Sequence, residues 1–366
     1  MPADPAPNPD GTDPAVRAAA AAQRRRWLLP LVGRLLLLVA GAVALYLLAP
    51  LLVEVFSKAP QLGRVDWPWL AVMFGLEACA FAAAWGLARL AVPGLSWPVA
   101  AAAQLASNAA SRTVPGGAVV GGAVYFRLLQ RSGVDPAGAA AAMTASALIS
   151  SMVLFALPAA GALSAALAAA VPRGLLPVAL AGLGLFVLTL GIGAVLVRFD
   201  RPLALAGLLM ERASRLVPHR LRVGRVVRRD GLLRTRDGLV AAIGGRWWQA
   251  VGFAAANWIL DYLVLVAALR AIGAEPRLSL VLIAYGAASV LAMIPITPGG
   301  LGFVEAGLAA TLTVSGIAAG DALLATLAYR LFSFWLPIPA GAVAYLIHRR
   351  WLRVPRGESG PVQGRE

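Results

Sequence analysis

SRTVPGGAVVGG (111–122) and PITPGGLGFVEAG (295–307) are the two stretches that decide the fold. Each breaks a long apolar segment, 98–131 and 278–314, near its middle. Proline removes a helical N–H and fixes φ, and the two glycines after it permit a tight reversal. The arms on either side come to about 15–17 residues, roughly 22–26 Å of helix. That is short for a hydrocarbon layer of ~30 Å. Both segments therefore read as re-entrant helical hairpins, which a bilayer tolerates only where protein or a water-filled cavity surrounds them.

The rest of the chain supports a membrane setting. Hydrophobic residues make up 60% of the 366, charged residues 13%, and mean hydropathy is +0.78. Soluble domains carry about 25% charged residues. Continuous Ala- and Leu-rich runs lack the alternation of barrel strands, which leaves helices. Full spans are expected at 28–53, 67–92, 137–158, 174–197, 247–270 and 320–347. The predicted fold is thus all-α and polytopic, with six full transmembrane helices and two PGG-broken hairpins.

Charge follows the same plan. Residues 1–26 read as a disordered cytoplasmic tail ending in Arg24–Arg26, and 351–366 as a second, basic one. Between them, 27–350 forms the membrane domain, with halves at about 28–160 and 174–347. Segment 198–246 holds twelve arginines against four acids, and its Leu and Val spacing suggests an amphipathic helix on anionic headgroups. The net charge of +15 is spread between apolar segments and not gathered on a soluble face, which argues against nucleic acid as a partner. Cys79 is the only cysteine, and His219 and His348 lie far apart, so neither a disulfide nor a zinc site is expected. No nucleotide loop or Ser/His/Asp set is present, and no cofactor is expected.

The two broken segments are copies. A gapless shift of 183 residues places Pro115, Gly116 and Gly117 on Pro298, Gly299 and Gly300, and Ser132-Gly133 on Ser315-Gly316. With Arg24–Arg26 inside, successive crossings leave Arg127, Arg131, the 198–246 segment and both tails in the cytoplasm, as the positive-inside rule asks. The hairpins then enter from opposite faces, forming an inverted repeat. In transporters so built, Gly/Pro-interrupted segments at matching positions mark a midplane binding site. The expected location is a bacterial plasma membrane.

Several polar side chains could serve such a site. Gln104, Ser107, Asn108, Ser111 and Arg112 share one side of the first hairpin helix, as either a helix-packing seam or the wall of a hydrated groove. Glu305, just after the second glycine pair, either offsets its helix N-terminus or pairs with Arg330 or a cationic headgroup. Glu77 shifted by 183 falls one residue from Asp261, so each half carries an acid at similar depth. These two read either as structural partners of Arg89 or Arg270, or as a coupling pair. Pro115, Gly116, Gly117, Pro298, Gly299 and Gly300 complete the candidate binding set through exposed half-helix N–H groups.

At these residues the chain resembles a known family. NAASRTVPGGAVVGGAVYFRLLQRSGV (108–134), IPITPGGLGFVEAGLAATLTVSGI (294–317) and YRLFSFWLPIPAG (329–341) resemble the transmembrane region of lysylphosphatidylglycerol synthases, a flippase-like group also called UPF0104. The resemblance implies movement of a lipid between leaflets, with a separate soluble domain attaching the amino acid. Only short termini flank the membrane region here, so synthase activity is not expected. The expected partner is a membrane phospholipid or a polyprenyl-linked lipid. A membrane-embedded lipid-modifying transferase and a non-catalytic scaffold are the alternatives.

Overall fold

The computed structural model describes residues 67–113, 117–168, 174–201, 205, 237, 244–293 and 297–351. The expected span at 28–53, most of the Arg-rich segment, the N-terminal tail, the C-terminal tail beyond Trp351, and Pro115 and Gly116 lie outside them. Among the described residues every regular element is helical.

The first half contains α1 (Pro68–Ala91), α2 (Trp97–Thr113), α3 (Gly117–Arg131) and α4 (Pro136–Ala168). After α5 (Leu176–Arg198), the second half repeats the series. It runs through α6 (Trp247–Ala271), α7 (Leu278–Leu291), α8 (Phe303–Val314), α9 (Ala319–Arg330) and α10 (Pro337–Trp351). The 183-residue shift carries the ends of α4 onto the start of α9 and the end of α10. Five stretches are long and apolar enough to cross a membrane: Pro68–Ala91, Pro136–Leu167, Leu176–Val195, Trp247–Ala271 and Ala319–Ile347. These match five of the six spans expected from sequence.

Local chemistry sets the boundaries. α1 opens with proline in its first turn, where the missing N–H costs nothing, and stops at Val92 before Pro93. The repeated Ser-Gly dipeptides are matching helix ends. Gly133 and Gly316 take φ of 93° and 95°, and the N–H groups of Val134 and Ile317 close onto the carbonyls of Leu129 and Leu312. That is a left-handed glycine cap at both equivalent positions.

One expectation needs correction. The arms of the second hairpin are 14 and 12 residues, shorter than anticipated, because Pro298–Gly300 forms a turn with Gly299 and Gly300 at positive φ and α8 starts only at Phe303. The last span, Ala319–Ile347, holds as expected and carries a π-turn within it. Leu331–Trp335 is a π-turn in which the Leu336 N–H reaches the Leu331 carbonyl at 2.9 Å. Pro337 and Pro339 cannot donate to the carbonyls one α-turn earlier, which is the local reason for the break.

The halves interlock by exchange. α1 packs on its counterpart α6, α2 packs on α10, and α7 packs on α4. Both exchanged contacts are close because one side is glycine. A Cβ on Gly286 of α7 would lie 2.5 Å from the Pro158 ring of α4, and one on Gly341 of α10 would lie 2.1 Å from the Leu105 carbonyl oxygen of α2. Small residues at such crossings suit helices that gain little hydrophobic energy by associating in lipid. α5 lies against α4 with most of its Leu and Val side chains exposed, the surface a lipid-facing helix presents.

Candidate functional site

Polar side chains, buried and half-buried, collect between the halves. A cavity of about 270 Å³ lies among α1, α2, α6, α7, α9 and the π-turn. From α1 it receives Glu77; from α2, Gln104, Asn108 and Arg112; from α6, Asn257, Trp258 and Asp261. Ser289, Tyr329, Arg330 and Ser333 complete the wall from the second half. Among the described residues no group of His, Cys, Asp and Glu is arranged to hold a metal.

The polar face of α2 divides by helical position. Gln104, Asn108 and Arg112, spaced by four, face the cavity. Ser107 and Ser111 face α3. The Ser107 hydroxyl donates to the Gly121 carbonyl at 2.9 Å, and a Cβ on Gly117 would stand 1.8 Å from the Ser111 carbonyl oxygen. One row packs the hairpin and the other wets the cavity.

Arg330 ties the second PGG turn to the last span. Its Nε donates to Glu305 Oε1 at 2.6 Å, and its Nη2 donates to the Gly299 carbonyl at 3.1 Å. Both side chains are buried, with 8% and 4% of their surfaces exposed. Burial at that level requires pairing, since neither charge reaches water. Glu305 Oε2 has no partner.

Phe334 joins both hairpins. The Arg112 Nη1 donates to its carbonyl at 2.9 Å, and its ring receives the Arg330 guanidinium at 4.3 Å and that of Arg112 at 5.3 Å. Gly299, at φ 60°, leaves room for that ring, which a Cβ would approach to 2.2 Å.

Glu77 and Asp261 both line the cavity, from α1 and α6, which pack against each other. The Tyr285 and Tyr329 hydroxyls both donate to Asp261 Oδ2. Arg89 is not a partner of these acids. It donates to the Leu95 carbonyl at 2.8 Å and stacks on Trp97. Of the residues expected from sequence, the structure thus brings Glu77, Asn108, Arg112, Asp261 and Arg330 to one cavity, with Gly299 and Glu305 behind Arg330. Gly117 serves hairpin packing. Gly300, at φ 75°, lies against Val304 and not at the cavity wall. Sequence reasoning missed Asn257, Ser289, Tyr285, Tyr329, Ser333 and Phe334. Asn257, a lone amide in an apolar helix donating to the Ala80 carbonyl, carried a readable signal.

Residues 18–341 match the profile described as the lysylphosphatidylglycerol synthase TM region. The chain belongs to that family. Within this transmembrane-region family, the chain is also similar to a UPF0104 membrane protein of Methanothermobacter thermautotrophicus, at 30% identity over 117 residues. The aligned part takes in 31% of this chain and 33% of that protein. The family match covers both PGG motifs and every cavity-lining element, ending inside α10. This family member is therefore an integral membrane protein with several apolar helices.

Proposed function

We propose that this chain binds the headgroup of a phospholipid or polyprenyl-linked lipid in the cavity between its halves and moves it between leaflets. The observation that carries the reading is the cavity itself. It is a charged, amide-lined space set among apolar helices whose outer faces suit lipid. At about 270 Å³ it is slightly below the usual range for small-molecule pockets, a size for a headgroup whose acyl chains stay in the bilayer. Arg112 supplies a cation for a phosphate, and Gln104, Asn108 and Asn257 supply donors and acceptors for hydroxyls. The reading needs no bond to be made or broken, so we assign the chain no enzymatic step.

Native mass spectrometry of the protein purified with bound lipid tests the binding. Wild type is expected to retain a lipid that Arg112→Gln loses, by tenfold or more, if one buried charge-assisted contact contributes about 1.5–3 kcal/mol. Equal retention by both would remove Arg112 from the site.

The same reading places the chain in a bacterial plasma membrane with both termini cytoplasmic, on the strength of the arginine asymmetry. Cysteines replacing Ser96 and Glu275, which follow the first helix of each half, are expected to label from opposite sides in a Cys79→Ala background. Labelling from one side would remove the inverted repeat.

A further inference from the structure

Glu77 and Asp261 sit on the two helices that the repeat makes equivalent, at the contact between halves, and headgroup binding does not by itself explain them. Glu77 is 6% exposed, and no donor points at its Oε2. Its carboxyl shares the cavity wall with that of Asp261. Ionised carboxylates only accept, so two acids on one wall can bond to each other only when one of them carries a proton.

The groups facing the pair fix how that proton could respond. From α2 comes Arg112, on the same cavity wall as both acids. From α7 comes Tyr285 and from α9 come Tyr329 and Arg330. The adjoining α4 and the π-turn contain no titratable side chain. Arg330 is committed to Glu305 and the Gly299 carbonyl. Arg112 is different, because its hydrogen bond goes to a neutral carbonyl, that of Phe334. The carboxyls that share the cavity wall with it are those of Glu77 and Asp261.

We propose that the Glu77–Asp261 pair is a proton site linked to occupancy of the cavity, which makes headgroup movement proton-coupled. The inference rests on the headgroup reading above. A phosphate that engages Arg112 takes the counter-charge from the two acids. At a carboxyl as buried as Glu77 an uncompensated negative charge is costly. The pair then takes one proton from the aqueous phase onto a carboxylate oxygen, and returns it when the phosphate leaves. No other bond changes.

The test uses the purified full-length chain in weakly buffered detergent solution near neutral pH, with a pH-indicator dye. Dihexanoyl phosphatidylglycerol is titrated in one arm and inorganic phosphate in the other, and binding is followed by calorimetry. The expected result is uptake of about one proton per ligand bound, with affinity tightening by up to about tenfold for each unit fall in pH. Uptake in the lipid arm alone assigns the site to a lipid headgroup; uptake in both arms assigns it to the phosphate group itself, and either supports the linkage. Glu77→Gln is expected to bind with no uptake and with an affinity flat in pH. The wild-type measurements decide the matter even if that variant fails to fold. Binding without uptake, pH-independent wild-type affinity, or unchanged uptake in Glu77→Gln would each overturn proton coupling and leave the headgroup reading standing. Failure of both ligands to bind would overturn the two together.

Discussion

Glu305→Gln and Arg330→Gln are each expected to destabilise the purified protein by about 3–5 kcal/mol, the usual result of stranding one member of a buried ion pair. Arg330→Gln should be the worse of the two. Beyond its bond to Glu305 it gives up the hydrogen bond to the Gly299 carbonyl and the stacking on Phe334. The double substitution should recover stability relative to Arg330→Gln, because no buried carboxylate is then left without its cation. It should not reach wild type, since the Gly299 carbonyl still lacks its donor. Thermal denaturation of the four proteins in one detergent supplies the cycle. Transport adds a second axis. A purely structural pair predicts that the double variant regains activity along with stability. A stable but inactive double variant would mean that Glu305 Oε2, unpartnered in the structure, serves the headgroup. Two single variants that denature like wild type would contradict the burial argument.

Gly299→Leu is expected to abolish transport, because two penalties fall on one residue. The backbone there has φ of 60°, which costs a non-glycine residue roughly 1–2 kcal/mol. The new side chain must also enter space held by the Phe334 ring, 2.2 Å from the first added carbon. Since Phe334 is held between Arg112 and Arg330, its displacement should disturb both arginines. Phe334→Ala in the same protein should relieve the collision but not the backbone cost, and so restore only part of the lost stability. Gly75→Ala is the matched control. It sits in α1 with nothing within 4 Å of an added Cβ, and helix propensity favours alanine by about 1 kcal/mol. A transport rate for Gly299→Leu equal to that of Gly75→Ala would reduce the second PGG block to an ordinary kink.

The fold was legible because its signals are local. Twenty apolar residues, a Pro-Gly-Gly break and a Ser-Gly cap each act within a few residues, and the 183-residue repeat transfers a reading from one half to the other. The same repeat placed Glu77 and Asp261 at one depth, but sequence offered Arg89 and Arg270 as partners because they lay nearby along the chain. The actual neighbours of Asp261 are each other half's acid and two tyrosines on α7 and α9, brought together only by helix crossing. Phe334 was hidden for a related reason. An aromatic residue in an apolar span reads as core, and its role depends on a glycine thirty-five positions earlier and an arginine from the other half. The π-turn was partly readable, since two prolines within three residues at 337–339 forecast a broken helix. The polar face of α2 carried two roles at once, and composition alone could not say which side chains faced which neighbour.

The central claim is that a headgroup crosses through the cavity between the halves, and leaflet exchange in reconstituted vesicles tests it most directly. Vesicles containing phosphatidylglycerol labelled on its headgroup are exposed to a reductant that destroys only outward-facing label. With the wild-type chain present, the label first protected on the inner leaflet is expected to be lost over time. With Asn108→Trp, which fills the cavity from α2, it should stay protected as in protein-free vesicles. Wild-type vesicles that keep their inner label, or an Asn108→Trp variant that loses it as fast as wild type, would contradict the account.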